Sequence, residues 1–218
     1  MPIDPRHPDD KRDTIRDFLD TQESVLMNCY FMIKDISFLS DVTNSKEIKE
    51  VIAGDRMFIR VGNIEWSQLI MELFHLYEPT ENYSLNRLLN FSIRNFEMIS
   101  WEMPDLKKLK EVGKLLRDKP TIKRADRVIY IRHKIKAHLD PARFNKEVLI
   151  YIDDAKVLYN TAETIVGEVY YQLNAIRTTF DFSFLGEIET TITRLSTYHD
   201  RLKDNYDANG QPIKRPDL

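Results

Sequence analysis

The chain has 218 residues, a net charge of −3, 42% hydrophobic and 31% charged residues, and only six glycines. That length supports one good core and the composition is that of a folded chain, so disorder is excluded, and the scarcity of glycine argues against a fold of many tight hairpins. The net charge gives no overall pull toward nucleic acid, one cysteine (Cys29) rules out an intramolecular disulfide, and no apolar run approaches the roughly 20 residues of a membrane span.

The amino-terminal stretch MPIDPRHPDDKRD is polar and proline-rich and lacks the apolar centre of a signal peptide, so the reading is cytoplasmic. Residues 1–9 and the tail 204–218 are expected to be flexible, and 10–203 to form one helical domain. No internal repeat or low-complexity segment interrupts it.

Phe18, Val25, Cys29, Ile33 and Ile36 recur at three- and four-residue steps and predict a first helix from about Asp10 to Leu39. Ser40 to Ser45 breaks it. A second helical region carries Ile48, Val51 and Ile52, pauses at Gly54-Asp55, resumes with Met57, Phe58, Val61, Ile64, Leu69, Leu73 and Leu76, and stops before Pro79. Ser84 is positioned as the N-cap of a helix over Leu85 to Trp101. Pro104-Asp105 opens a short Lys-rich helix to about Arg117. Pro120-Thr121 opens the next, which Asp140-Pro141 closes. Two long helices follow, from about Asn145 to Thr178 and from about Phe184 to Lys203. About seven helices with short connections predict an all-α, single-domain helical bundle. The longest apolar stripe, Val148, Ile152, Ala155, Leu158, Val166, Val169 and Leu173, reads as core, with a dimer seam as the other option.

The charge is unevenly placed. Between Arg117 and Arg143 stand nine Lys or Arg (Arg117, Lys119, Lys123, Arg124, Arg127, Arg132, Lys134, Lys136, Arg143) against three Asp (Asp118, Asp126, Asp140). Such a stretch is either a solvated basic face or a site for a polyanion. On a helical wheel at about 100° per residue, Ala125, Val128, Ile129, Ile131, Ile135 and Leu139 share one arc. Arg132 falls near its middle, about 40° from Val128, and His138 at its edge, about 80° on the other side. Lys123, Asp126, His133 and Lys134 lie outside the arc. An arginine on an apolar face must find a partner, snorkel outward, or sit on a face less buried than its residues suggest. His138 is placed in the last helical turn, where it either caps the orphan carbonyls or exchanges a proton near neutral pH.

The string Arg132-His133-Lys134-Ile135-Lys136-Ala137-His138-Leu139-Asp140 resembles the signature of HEPN domains: an arginine, a polar residue, and a histidine four to six positions beyond the first. It is most similar to the abortive-infection U-type branch, whose pattern Arg–polar–Lys–x–x–Ala–His–hydrophobic–Asp it matches over nine residues. The resemblance implies a HEPN-like bundle acting as a metal-independent endoribonuclease or RNA-binding protein. It implies a homodimer in which two such helices meet in a composite cleft. His138 would then move a proton at the ribose 2′-OH or the leaving 5′-oxygen, Arg132 would stabilise the phosphorane-like transition state, and His133 would orient the site or contact phosphate. Arg127, Lys134 and Lys136 would hold the RNA backbone, and the product would carry a 2′,3′-cyclic phosphate. No cofactor and no metal are called for. A role as toxin or phage-defence effector would add a cognate antitoxin or nucleotidyltransferase as partner. The alternative is a non-catalytic interaction or scaffold module using the same dimer face. A small-molecule or nucleotide sensor with a pocket between helices is a third reading.

Other constellations are weaker. There is no HExxH, paired CxxC, P-loop or GxGxxG motif, and His7, His75 and His199 stand far apart. His75 reads as a satisfied core histidine. Asp153-Asp154 diverge around a helix and read as solvated surface rather than a metal pair. Tyr151, Tyr159, Tyr170 and Tyr171 read as packing residues rather than base-stacking platforms.

Overall fold

Polar side chains set several of the helix starts. The Ser45 hydroxyl accepts the Ile48 N–H, Ser84 accepts the Arg87 N–H, and the Asp105 carboxylate accepts the Lys108 N–H at 2.8 Å. The computed structural model describes residues 8–136, 149–177 and 187–203. Among them every regular element is helical and no strand occurs: α1 Pro8–Leu39, α2 Lys46–Gly54, α3 Arg56–Tyr77, α4 Leu85–Arg94, α5 Leu106–Gly113, α6 Lys119–Lys136, α7 Ile152–Asn174 and α8 Glu187–Lys203. Short 3₁₀ turns occupy Phe96–Met98 and Leu115–Arg117. No described helix is long and apolar enough to cross a membrane.

The all-α class therefore holds, with eight α-helices among the described residues because Gly54-Asp55 separates α2 from α3. Several boundaries move. α1 begins at Pro8, inside the segment expected to be flexible. The helix capped by Ser84 ends at Arg94 rather than Trp101: the Asn95 side chain donates to the Phe91 carbonyl at 2.9 Å, and the chain turns through a 3₁₀ segment. α7 starts at Ile152 rather than Asn145, because the Asp154 carboxylate reaches back to the Tyr151 N–H at 3.4 Å. It ends at Asn174, where Ala175 takes the left-handed conformation (φ 56°) and donates to the Tyr171 carbonyl at 2.8 Å. The Asp140-Pro141 stop, the start near Phe184, residues 1–7 and the tail 204–218 lie outside the described residues.

The chain divides into two compact units, and the boundary falls within α1 and within α3. One unit comprises Met1–Ile33 and Ser67–Phe182. In it α7 packs against α4, α5 and α6. Ala155, Leu158, Ala162, Ile165, Val166, Val169 and Leu173 are fully buried beside Leu69, Leu73, Leu85, Leu88 and Leu109. The α7 stripe is therefore spent in the chain's own core, which closes the dimer-seam option for these residues. Ile152, at the helix start, is only half-buried, and Val148 lies outside the described residues. Tyr159 is buried, while Tyr151 is 62% exposed.

Polar ties lock this unit. Gln172, fully buried, donates its side-chain amide to the Asp105 carbonyl and to Glu168, and its Oε1 accepts the Asp105 N–H at 3.0 Å. Arg12 donates to the Leu173 carbonyl at 2.9 Å, satisfying an orphan acceptor at the end of α7, and to Ser100 and Glu102. The Tyr77 hydroxyl donates to the Leu158 carbonyl at 2.6 Å. Cys29 is fully buried and reduced, and burial, followed by the nearby Glu72 charge, pushes its thiol well up.

The other unit comprises Lys34–Trp66 and Ser183–Leu218. In it α2 packs on α8, and Gly62 lets α3 approach the Leu39 side chain so closely that a Cβ would meet it at 3.3 Å. Its notable polar feature is a carboxyl pair. Asp35, 8% exposed, shares a hydrogen bond with Glu65, whose carboxyl is pushed up to about 7 by burial first and then by Asp35.

Candidate functional site

α6 carries the residues singled out in the sequence, and it packs against α7. Val128 is fully buried and Ala125 nearly so, while Ile129, Ile131 and Arg132 are half-buried and His133 is exposed. The apolar arc is thus less sequestered at its C-terminal half than its residues suggest. This accounts for how an arginine is tolerated there.

Arg132 finds an aromatic ring rather than an acid. Its guanidinium carbon lies 4.2 Å from the centroid of Phe74 on α3. His133 approaches the same ring edge-on, with centroids 5.6 Å apart at 86°. Phe74 itself is 2% exposed. No described carboxylate pairs with Arg132, and its Nε is buried without a hydrogen-bond partner. A half-buried guanidinium is therefore held in place by an apolar floor with its charge uncompensated among the described residues. His138, the proposed proton carrier, and the Ala137 to Asp140 end of the motif lie outside the described residues. Lys134 and Lys136 belong to the last described turn of α6.

Arg127 stands elsewhere. Its Nη1 donates to Asp154 Oδ2 at 3.1 Å, and Arg124 Nε donates to Asp154 Oδ1 at 2.9 Å. On the helix Arg127 and Arg132 diverge by about 140°, so the two are not brought to one face. Asp154 is correspondingly not the solvated residue the sequence suggests: its side chain is 15% exposed and holds two arginines, whereas that of Asp153 is 89% exposed. His75 is satisfied, but by Glu81 at 3.0 Å and with a side chain 45% exposed, so it is not a core residue.

Around the Arg124–Asp154–Arg127 cluster opens a cleft of about 380 Å³, lined by Lys119, Pro120, Lys123, Arg124, Arg127 and Asp154. A second cleft of about 360 Å³ runs between α4 and α5, with Asn86, Asn90, Lys110, Lys114 and Arg117 along it. Both belong to one basic segment: residues 107–136 hold twelve Lys or Arg against three acids, in a chain whose net charge is −3. The spacing Lys119, Lys123, Arg127 announces one side of this cleft, because residues four apart share a helix face. Asp154 and Phe74 carry no such local signal. Among the described residues no group of three or more His, Cys, Asp or Glu could hold a metal ion.

No family model, no curated protein and no solved structure matches the chain.

Proposed function

We propose that the chain is a HEPN-type, metal-independent endoribonuclease or RNA-binding protein acting as a homodimer. The observation that carries this reading is Arg132: it sits inside the nine-residue motif and, among the described residues, has no carboxylate to neutralise it. An uncompensated guanidinium on a half-buried helix face is suited to developing negative charge, such as a phosphorane in transit. In this reading the ribose 2′-oxygen attacks the adjacent phosphorus and the 5′-oxygen departs. His138 moves the proton at one of these oxygens, and a 2′,3′-cyclic phosphate remains. His133 orients the site, and Lys134 and Lys136 hold the RNA backbone, with the basic segment 107–136 as the wider track. A toxin or phage-defence role, with a cognate antitoxin or nucleotidyltransferase, belongs to the same proposal.

The test is incubation of the purified full chain with total RNA in EDTA, after removal of any co-purifying inhibitor. Cleavage to 2′,3′-cyclic phosphate ends, lost in Arg132→Ala and His138→Ala, is the expected result. Intact RNA sinks the nuclease. The contact of Arg132 over the Phe74 ring and of His133 against it favours a second reading, a non-catalytic interaction module using this face. That reading expects Arg132→Ala to alter the dimer mass in light scattering and to change no activity.

A further inference from the structure

The cleft at the start of α6 has the parts of a site for a phosphate group of high charge. Lys119, Lys123 and Arg127 stand at four-residue intervals on one side of α6, and Arg124 joins them along its edge. One carboxylate, Asp154, faces these four cations. It is mostly buried at the start of α7, where each oxygen accepts from a different arginine and Oδ2 also accepts the Tyr151 N–H at 3.4 Å. Arg124 directs its Nε to Oδ1 and its Nη1 to the Pro120 carbonyl at 3.1 Å; Arg127 directs Nη1 to Oδ2.

Two consequences follow from this wiring. First, both guanidinium planes are fixed by bonds that use part of their donors. Arg127 Nε and Nη2 and Arg124 Nη2 make no hydrogen bond within the described residues, so each fork keeps N–H groups to offer. Second, one carboxylate cannot balance four cations, and Lys119 and Lys123, both exposed, form no ion pair among the described residues. The cleft keeps about three uncompensated positive charges. An internal phosphodiester carries one negative charge. A terminal phosphate carries about −1.5 to −2 near neutral pH, with three acceptor oxygens, and a polyphosphate carries more.

We infer that the cleft lined by Lys119, Lys123, Arg124 and Arg127, with Asp154 presenting the two arginines, binds a terminal phosphate or polyphosphate group. That group belongs either to a free nucleotide or to the end of an RNA chain; the cleft reads the phosphate, and its chemistry is shared by both. Lys119 and Lys123 supply charge. Arg124 and Arg127 supply oriented donors, and Asp154 is a positioning residue. The inference does not rest on the nuclease reading, since the cleft and Arg132 lie on different sides of α6.

The experiment is calorimetric titration of the full-length protein with inorganic pyrophosphate in low salt without divalent metal. Saturable binding of one equivalent per chain is expected, at least about tenfold weaker in Lys119→Ala/Lys123→Ala, whose exposed side chains can be removed without disturbing the core. Asp154→Asn is the sharper variant. It adds a positive charge to the cleft, so diffuse attraction would tighten binding, whereas loss of arginine positioning weakens it several-fold; Asp154→Glu restores part of the loss. Competition then identifies the source: ATP displacing pyrophosphate indicates a nucleotide, and a 5′-phosphorylated RNA displacing it where the 5′-hydroxyl version fails indicates a chain end. Non-saturable binding, unchanged affinity in the double lysine variant, tighter binding in Asp154→Asn, or equal displacement by 5′-hydroxyl RNA would each overturn the inference. RNA cleavage in EDTA is scored separately with Arg132→Ala, so the failure of one proposal leaves the other's result legible.

Discussion

Replacing Arg132 by methionine separates what the residue does for the fold from what it does for a ligand. The guanidinium lies 4.2 Å from the Phe74 centroid, and for a half-buried pair this cation–π contact contributes about 1 kcal/mol. Against it stands the buried, unpartnered Nε, an orphan donor that costs about 1–3 kcal/mol. Methionine keeps an unbranched stem over the ring, removes the orphan donor, and adds a sulfur–aromatic contact of about 0.3–1.5 kcal/mol. The balance is a stability unchanged or raised by about 1 kcal/mol, which for a chain of this size is a Tm increase of about 2–4 °C. Urea denaturation followed by far-UV circular dichroism measures it, with an unchanged m-value as the control on compactness. In the proposed function the same variant abolishes RNA cleavage, so stability and activity move in opposite directions. A loss of about 2 kcal/mol or more would refute the reasoning, because it would make Arg132 an anchor of the fold rather than a group held for a ligand.

The Asp35–Glu65 pair makes stability depend on pH. Glu65 is raised from 4.5 to about 7 in the folded protein, so between those values the folded state holds a proton that the unfolded chain has released. Stability therefore falls as pH rises from about 4.5 to 7 and levels off above, by about 1–2 kcal/mol once partial solvent exposure is allowed for. Glu65→Gln should flatten the urea midpoint over that window; parallel curves for both proteins would contradict the assignment. Gln172→Leu leaves the Asp105 N–H and carbonyl without their side-chain partners and should cost about 2–4 kcal/mol in the same denaturation experiment. A loss below about 1 kcal/mol would show that the buried amide is not a tie. Ala175→Gly relieves the left-handed backbone at the end of α7 and should stabilise by about 0.5–1 kcal/mol, read as a higher Tm.

Much of the helical layout is legible in the sequence because its signals are local. Ser84 caps, Gly54-Asp55 interrupts and Pro79 stops, each through the chemistry of the residue itself. The errors arise where a distant group decides. Nothing between Ile93 and Trp101 breaks the apolar spacing, yet α4 ends at Arg94. There Asn95 bonds back to Phe91 and is held by Lys11, and the Trp101 indole donates to the Phe96 carbonyl. The apolar run Val148-Leu149-Ile150 extends the periodicity of α7, but the helix starts later, where Asp154 captures the Tyr151 N–H. The site divides the same way. Arg132 is conspicuous on a wheel, and the Lys119-Lys123-Arg127 spacing is visible once sought. Phe74 beneath Arg132 and Asp154 beside Arg127 are tertiary partners that no periodicity announces.

Cys29 offers a consequence of a different kind. It is the one thiol in the chain, it is sealed between helices at 0% exposure, and its reactive thiolate is suppressed. A thiol reagent in solution can consume it only during excursions that part α1 from its neighbours. Its labelling rate is thus a built-in clock for opening of that region, readable in cells or lysates without adding a dye or a tag.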